Sequence, residues 1–143
     1  MKHAIAAIFL VTGLNCLGQT ETTTAARGPQ ITFQSEVHDY GTIPYAGNGE
    51  CEFTYSNTGD EPLIISQCRS SCGCLVPSCM REPLAPGQSA VVRVKYDTKR
   101  PGPINKSVTV TSNATNSPVV VLRIKGTVQL EASAQPTPAI TKP

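Results

Sequence analysis

Four cysteines crowd into Cys68-x3-Cys72-Gly73-Cys74-x4-Cys79, and a fifth, Cys51, stands upstream in an alternating apolar stretch. Such a cluster could do three things. It could form disulfides that staple a loop, exchange thiols with a redox partner, or hold a soft metal as thiolates. The spacing separates these readings. Cys72-Gly73-Cys74 allows a tight ring across one residue, more easily reduced than an ordinary structural bridge. It lacks the Cys-x-x-Cys spacing and helix N-terminus that lower a thiol's pKa, and it matches no common zinc pattern. Stapling is therefore the leading expectation, with thiol-disulfide exchange or metal handling at Cys72-Gly73-Cys74 as the alternative. No cofactor is expected. Five thiols make at most two disulfides in an oxidising space, so one of Cys51, Cys68, Cys72, Cys74 and Cys79 must be left over. A bridge from Cys51 to one cluster cysteine would close roughly twenty residues and constrain the unfolded chain by about 3 kcal/mol.

The start of the chain sets the compartment. Met1-Lys2-His3 is a short basic start, Ala4 to Leu14 is an apolar run of signal-peptide length, and Cys16-Leu17-Gly18 places small residues for cleavage before Gln19. Residues 1–18 thus read as a leader too short to span a bilayer. Acylation of Cys16 is the rival reading, but Asn15 and Gly13 stand where a lipoprotein signal usually carries a small and an aliphatic residue. The expectation is an exported protein, periplasmic or secreted and not transmembrane. Residues 19–29 and 131–143 are Thr- or Pro/Ala-rich without periodicity and are expected as a disordered linker and tail around one domain at 30–130. The formal charge of +2 is spread singly over the chain, so no nucleic-acid partner is expected.

The elements that must hold the cysteines read as strands. Cys51, Phe53 and Tyr55 alternate with Glu50, Glu52 and Thr54. Ala90, Val92, Val94 and Tyr96 alternate with Val91, Arg93 and Lys95, and the same period recurs at Val108 and Val110 and at Val120, Leu122 and Ile124. Ile31-Thr32-Phe33 and Leu63-Ile64-Ile65 add short segments, while residues 66–85 read as a long loop with little apolar material. Turns are marked by Asn57-Thr58-Gly59-Asp60 and Pro86-Gly87, and Gly41 and Gly59 suit positions of positive φ. No stretch keeps helical spacing. The pattern predicts an all-β, immunoglobulin-like antiparallel sandwich of about seven strands.

Several of these landmarks occur together in His38-Asp39-Tyr40-Gly41-Thr42-Ile43, Tyr55-Ser56-Asn57-Thr58-Gly59, Pro62-Leu63-Ile64-Ile65, Ser71-Cys72-Gly73-Cys74, Leu84-Ala85-Pro86-Gly87 and Ile124-Lys125-Gly126. In this order the chain resembles, over residues 31 to 128, the exported bacterial family called domain of unknown function 1573, common in Bacteroidetes. That family is similar in turn to modules of the major-sperm-protein, cilia-associated and pilus-chaperone kind. The resemblance implies an immunoglobulin-like fold and an envelope or extracellular location, with no activity assigned. Cys51, Cys68 and Cys79 depart from the usual pattern, which has only the Cys-Gly-Cys pair.

Enzyme chemistry finds little footing. His38 is the one histidine beyond the leader and is explained equally well by a turn, and the carboxylates are scattered with no acid/base pair. No catalytic residue, metal ligand or cofactor site is assigned. By elimination the chain is expected to be a binding or structural module of the bacterial cell envelope. It would meet an envelope or extracellular protein partner by strand addition.

Overall fold

Alternation decides the architecture. A computed structural model describes residues 28–130, in which eight strands form: β1 (Ile31–Phe33), β2 (Val37–Pro44), β3 (Glu50–Asn57), β4 (Ile65–Ser70), β5 (Leu75–Ser78), β6 (Ser89–Tyr96), β7 (Gly102–Ser112) and β8 (Val119–Gln129). They lie in two four-stranded sheets, ordered β1-β3-β6-β5 and β2-β8-β7-β4. Each alternating segment turns one row of side chains inward, and the two rows meet as the core. Phe53 and Tyr55 of β3 and Val92 and Val94 of β6 come from one sheet. Val108 and Val110 of β7 and Leu122 and Ile124 of β8 come from the other. Fully burying each such side chain contributes about 1.5–3 kcal/mol.

The expected sandwich is present, and three of its details differ from the sequence reading. The β2–β8 pairing is parallel, with Val37 opposite Arg123 and Ile43 opposite Val128, so the second sheet is mixed. The chain crosses from β1 to β2 between sheets instead of returning as a hairpin, which brings β2 alongside β8 in the same direction. Residues 66–85 are largely not a loop, because β4 and β5 occupy much of them as edge strands. Leu63 lies outside β4 and makes an isolated bridge to Leu84. Neither of these two edge strands alternates apolar with polar residue types. In β4 a register shift falls between Ile65 and Gln67, and the half-buried inward position is Cys68 instead of an aliphatic residue. Pro77 within β5 is tolerated because the strand is an edge.

Gly28 and Pro29, grouped with the leading linker by composition, are buried, and their carbonyls accept bonds from Asp60 and Thr115. The remainder of that linker (19–27), the leader with Cys16, and the tail at 131–143 lie outside the described residues. Gly41 has positive φ as expected, at 60°, and Gly87 of the Pro86-Gly87 turn has it too, at 77°. Gly59 does not need one. A β-carbon there would collide with the Gly28 carbonyl and the Gln30 nitrogen, so close backbone approach is what requires glycine.

Candidate functional site

The sulfurs gather at one seam of the sandwich. β4 is the edge of one sheet and β5 the edge of the other, and Cys68 of β4 bridges to Cys79, one residue past β5, with their Cα atoms 6.5 Å apart. This disulfide ties sheet to sheet where neither edge strand supplies a continuous apolar row. Cys72 and Cys74 form the second bridge, Cα to Cα 5.2 Å, in the short link between the two strands. Backbone contacts fix that link. The Ser70 hydroxyl donates to the Cys72 carbonyl at 2.8 Å, the Cys74 amide approaches the Cys72 sulfur at 3.3 Å, and the Asp97 amide donates to the Cys74 carbonyl at 2.9 Å. Cys74 is buried. Arg81, the one arginine between β5 and β6, donates from Nη1 to the Ser66 carbonyl. The neighbours of the tight ring are those of a structural link.

Cys51 is the correction among the cysteines. It joins no disulfide and is buried at 5% exposure on the inward face of β3. Its strand runs through the middle of its sheet and its thiol meets Tyr40 of β2, so the bridge considered from Cys51 to the cluster does not form and Cys51 is the thiol left over. Burial raises the thiol pKa, partly offset by a hydrogen bond with the Tyr40 side chain. The Tyr40 hydroxyl donates to the Gly49 carbonyl at 2.6 Å, and burial raises its pKa as well. A neutral, enclosed thiol of this kind is a small apolar core residue, not a nucleophile. His38 lies within β2, not in a turn. Its ring meets Tyr40 edge-on at 4.6 Å and Phe53 at 6.4 Å, a packing role.

The feature that sequence reasoning missed sits next to the disulfide. β6 pairs with β3 along its whole length, from Ser89 opposite Ser56 to Lys95 opposite Glu50. On its other flank β5 covers only Arg93 to Tyr96, with Ser78 opposite Arg93 as the last pair. Beyond Ser78 the chain leaves the sheet, because Cys79 is drawn across to Cys68. What remains is an open notch of about 450 Å³ beside β6, lined by Ser78, Met80, Ser89, Val91 and Arg93 among others. A readable signal existed. Continuing the alternation of β5 puts Leu75, Pro77, Cys79 and Arg81 on its inward side, and a strand cannot extend with a guanidinium aimed at the core.

A second cleft, about 530 Å³, opens at one end of the sandwich between the β2–β3 turn, the Cys72–Cys74 link and the β6–β7 turn. Two of its charged residues are already engaged, Lys95 with Glu50 at 3.2 Å and Asp97 with Arg100 at 3.1 Å. Among the described residues no group of three or more His, Cys, Asp or Glu side chains is placed to hold a metal ion. Among the described residues no helix is long and apolar enough to cross a membrane.

With this geometry in place, the family model for the protein of unknown function called DUF1573 matches residues 31–128, from the first residue of β1 to the penultimate residue of β8. The chain belongs to the DUF1573 family. No curated protein matches it. Among solved structures, a protein of unknown function from Porphyromonas gingivalis W83 is similar at TM-score 0.64 and 18% identity, with 77% of this chain and 51% of that one covered. The VesB protease of Vibrio cholerae is similar at 0.59 and 19%, over 69% of this chain and 32% of its own. PapD-like domain 7 of human CEP192 is similar at 0.61 and 10%, over 87% and 99%. This DUF1573 chain thus spans about half the length of the first and about a third of the second. At such identities the likeness is one of fold, an immunoglobulin- and PapD-like sandwich, and carries no catalytic residue across. The DUF1573 match includes β3, β6 and the whole β4–β5 seam.

Proposed function

We propose that the protein is an exported module of the bacterial cell envelope that binds a partner protein through a sheet edge. One observation carries the reading: both sheets are open, four-stranded and unclosed, so the molecule presents edge strands instead of a closed barrel wall. Exposed edges of this kind template the pairing of a further strand. Export is supported by the two disulfides, since such bridges persist in oxidising compartments. The residues of the tight Cys72–Cys74 ring serve backbone contacts within the fold, which supports a structural use of that pair over thiol exchange.

Site-specific photocrosslinking in the intact bacterium tests this. A photoreactive residue at Val76, exposed on the edge strand β5, is expected to give discrete adducts in the envelope fraction. The same residue at Val121, exposed on the face of the central strand β8, is expected to give none. Equal labelling from both positions, or a protein recovered only from the cytoplasm, would overturn the reading.

A further inference from the structure

The flank of β6 that β5 leaves uncovered has a defined polarity and chemistry. The Tyr96 amide donates to the Gly49 carbonyl at 2.8 Å, which fixes the even-numbered residues of β6 as those bonded toward β3. The N–H and C=O groups of Lys95, Arg93, Val91 and Ser89 therefore point the other way. Those of Lys95 and Arg93 face Val76 and Ser78 of β5. Those of Val91 and Ser89 face the notch, and neither finds a backbone partner there among the described residues. Two donors and two acceptors are thus presented at strand spacing in a cavity walled by Met80 and Val91. The chain's own continuation cannot use them. Met80 and Glu82 would fall opposite Val91 and Ser89, but this register would turn Arg81 inward opposite Ala90, and the Cys68–Cys79 bridge already pulls the backbone aside.

The outer face of β6 adds a charge preference. Arg93 and Lys95 meet Glu52 and Glu50 on the β3 side, at 2.8 and 3.2 Å. On the other side their neighbours in β5 are Ser78 and the exposed Val76, with no carboxylate. A strand entering the notch antiparallel to β6 would set its residue opposite Val91 on this same face, diagonal to Arg93. A carboxylate at that position would complete a second acidic flank. The next residue, opposite Ala90, would turn inward and must be apolar.

Resting on the envelope-binding reading above, we propose that the partner binds as an extended, acidic-apolar segment that continues the line of β5 along Ser89–Val91. The segment pairs antiparallel with β6, places a carboxylate over Arg93, and lays an apolar side chain inward beside Ala90. The disulfide keeps the slot open by holding Cys79 out of the sheet.

The test is a titration of the full exported chain, bridges intact and nitrogen-labelled, with acetyl-Ser-Glu-Val-Thr-Val-amide followed by amide NMR. Shifts centred on Ser89 and Val91 are expected, and replacing the peptide's Glu by Lys should weaken binding about fivefold. Arg93→Glu should reverse that preference. Val91→Pro, which deletes an N–H facing the notch and none facing β3, should abolish binding. Should Val91→Pro fail to fold, the reversal by Arg93→Glu decides the matter alone. Shifts confined to β2, no shifts at millimolar peptide, or equal binding of the Glu and Lys peptides would overturn the slot. The crosslinking experiment would still judge the broader envelope-binding reading by itself.

Discussion

β6 has two flanks, and they are built by different means. On one, β3 is zipped to it over its full length, and the inward positions of β3 are Cys51, Phe53, Tyr55 and Asn57, all buried. On the other, β5 stops after Ser78, where the inward series Leu75, Pro77, Cys79, Arg81 passes from apolar to a bridged sulfur and then to a charge. The length of a strand is here decided by what its inward positions hold. Where every one of them can be buried the pairing runs on, and where one is tied to the opposite sheet and the next is a guanidinium it ends. The same contrast separates two uses of cysteine. Cys51 fills the core as a thiol, whereas Cys68 and Cys79 replace apolar packing at a seam that has little of it.

The largest effect is expected on the well-packed flank, at its polar end. Asn57 is fully buried and closes the end of β3. Its Nδ2 donates to the carbonyls of Glu61 and Leu84 at 2.7 and 2.9 Å, and its Oδ1 accepts from the amides of Gln30 and Gly59 at 3.3 and 3.0 Å. Asn57→Ala leaves these backbone groups without partners and should cost about 3–4 kcal/mol in urea unfolding. A cost under about 1 kcal/mol would mean that water replaces the side chain freely.

Next comes the stapled flank. Replacing Cys68 and Cys79 together by Ser should lower stability by about 2–3 kcal/mol and loosen β4 and β5 before the rest. Replacing Cys72 and Cys74 should cost less, because the loop they close is shorter. If the two double variants lose equal stability, or if the whole sandwich opens at once, the division between packed and stapled regions fails.

A pH titration sharpens the contrast between the two kinds of sulfur. Burial raises the Cys51 pKa above its ordinary 9.0, so its contribution to stability is complete below that value and is lost as pH rises through the folded value. Tyr40 is shifted in the same direction from 10.0 and adds to the loss at higher pH. The unfolding free energy of the wild type should therefore fall more steeply above about pH 9 than that of Cys51→Ala. Parallel curves would show that the thiol does not titrate as a buried group.

Much of the first flank was readable in the residues, and little of the second. Cys51-x-Phe53-x-Tyr55 and Val92-x-Val94-x-Tyr96 alternate in a chain with no helical competitor, so both strands and their inward faces follow from period alone. The stretch Ser66-Gln67-Cys68-Arg69-Ser70 has no aliphatic residue and a shifted register, and a strand held at its edge by a disulfide carries no hydrophobic period to detect. The pairing of Cys68 with Cys79 depends on which sheet each edge strand joins, a long-range fact absent from spacing. The parallel β2–β8 contact and the Asn57 clamp are long-range in the same sense. The notch was invisible until β5 was known to end, although the parity that places Arg81 inward was present in the residues.

The smallest change in stability is expected at Arg81, just beyond the end of β5. Arg81→Val alone should alter stability by no more than about 0.5 kcal/mol. Combined with Cys68→Ser and Cys79→Val, it should allow β5 to lengthen and slow exchange of the Val91 amide roughly tenfold or more. An unchanged Val91 in that triple variant would show that neither the disulfide nor Arg81 ends the strand.

Amide hydrogen exchange along β6 in the unaltered, disulfide-bonded protein tests the unequal flanks most directly. Ala90, Val92 and Val94, bonded to β3, and Arg93 and Lys95, bonded to β5, should exchange slowly, while Ser89 and Val91 exchange as fast as exposed loop amides. Protection of Val91 equal to that of Val92 would contradict the open flank and remove the slot with it.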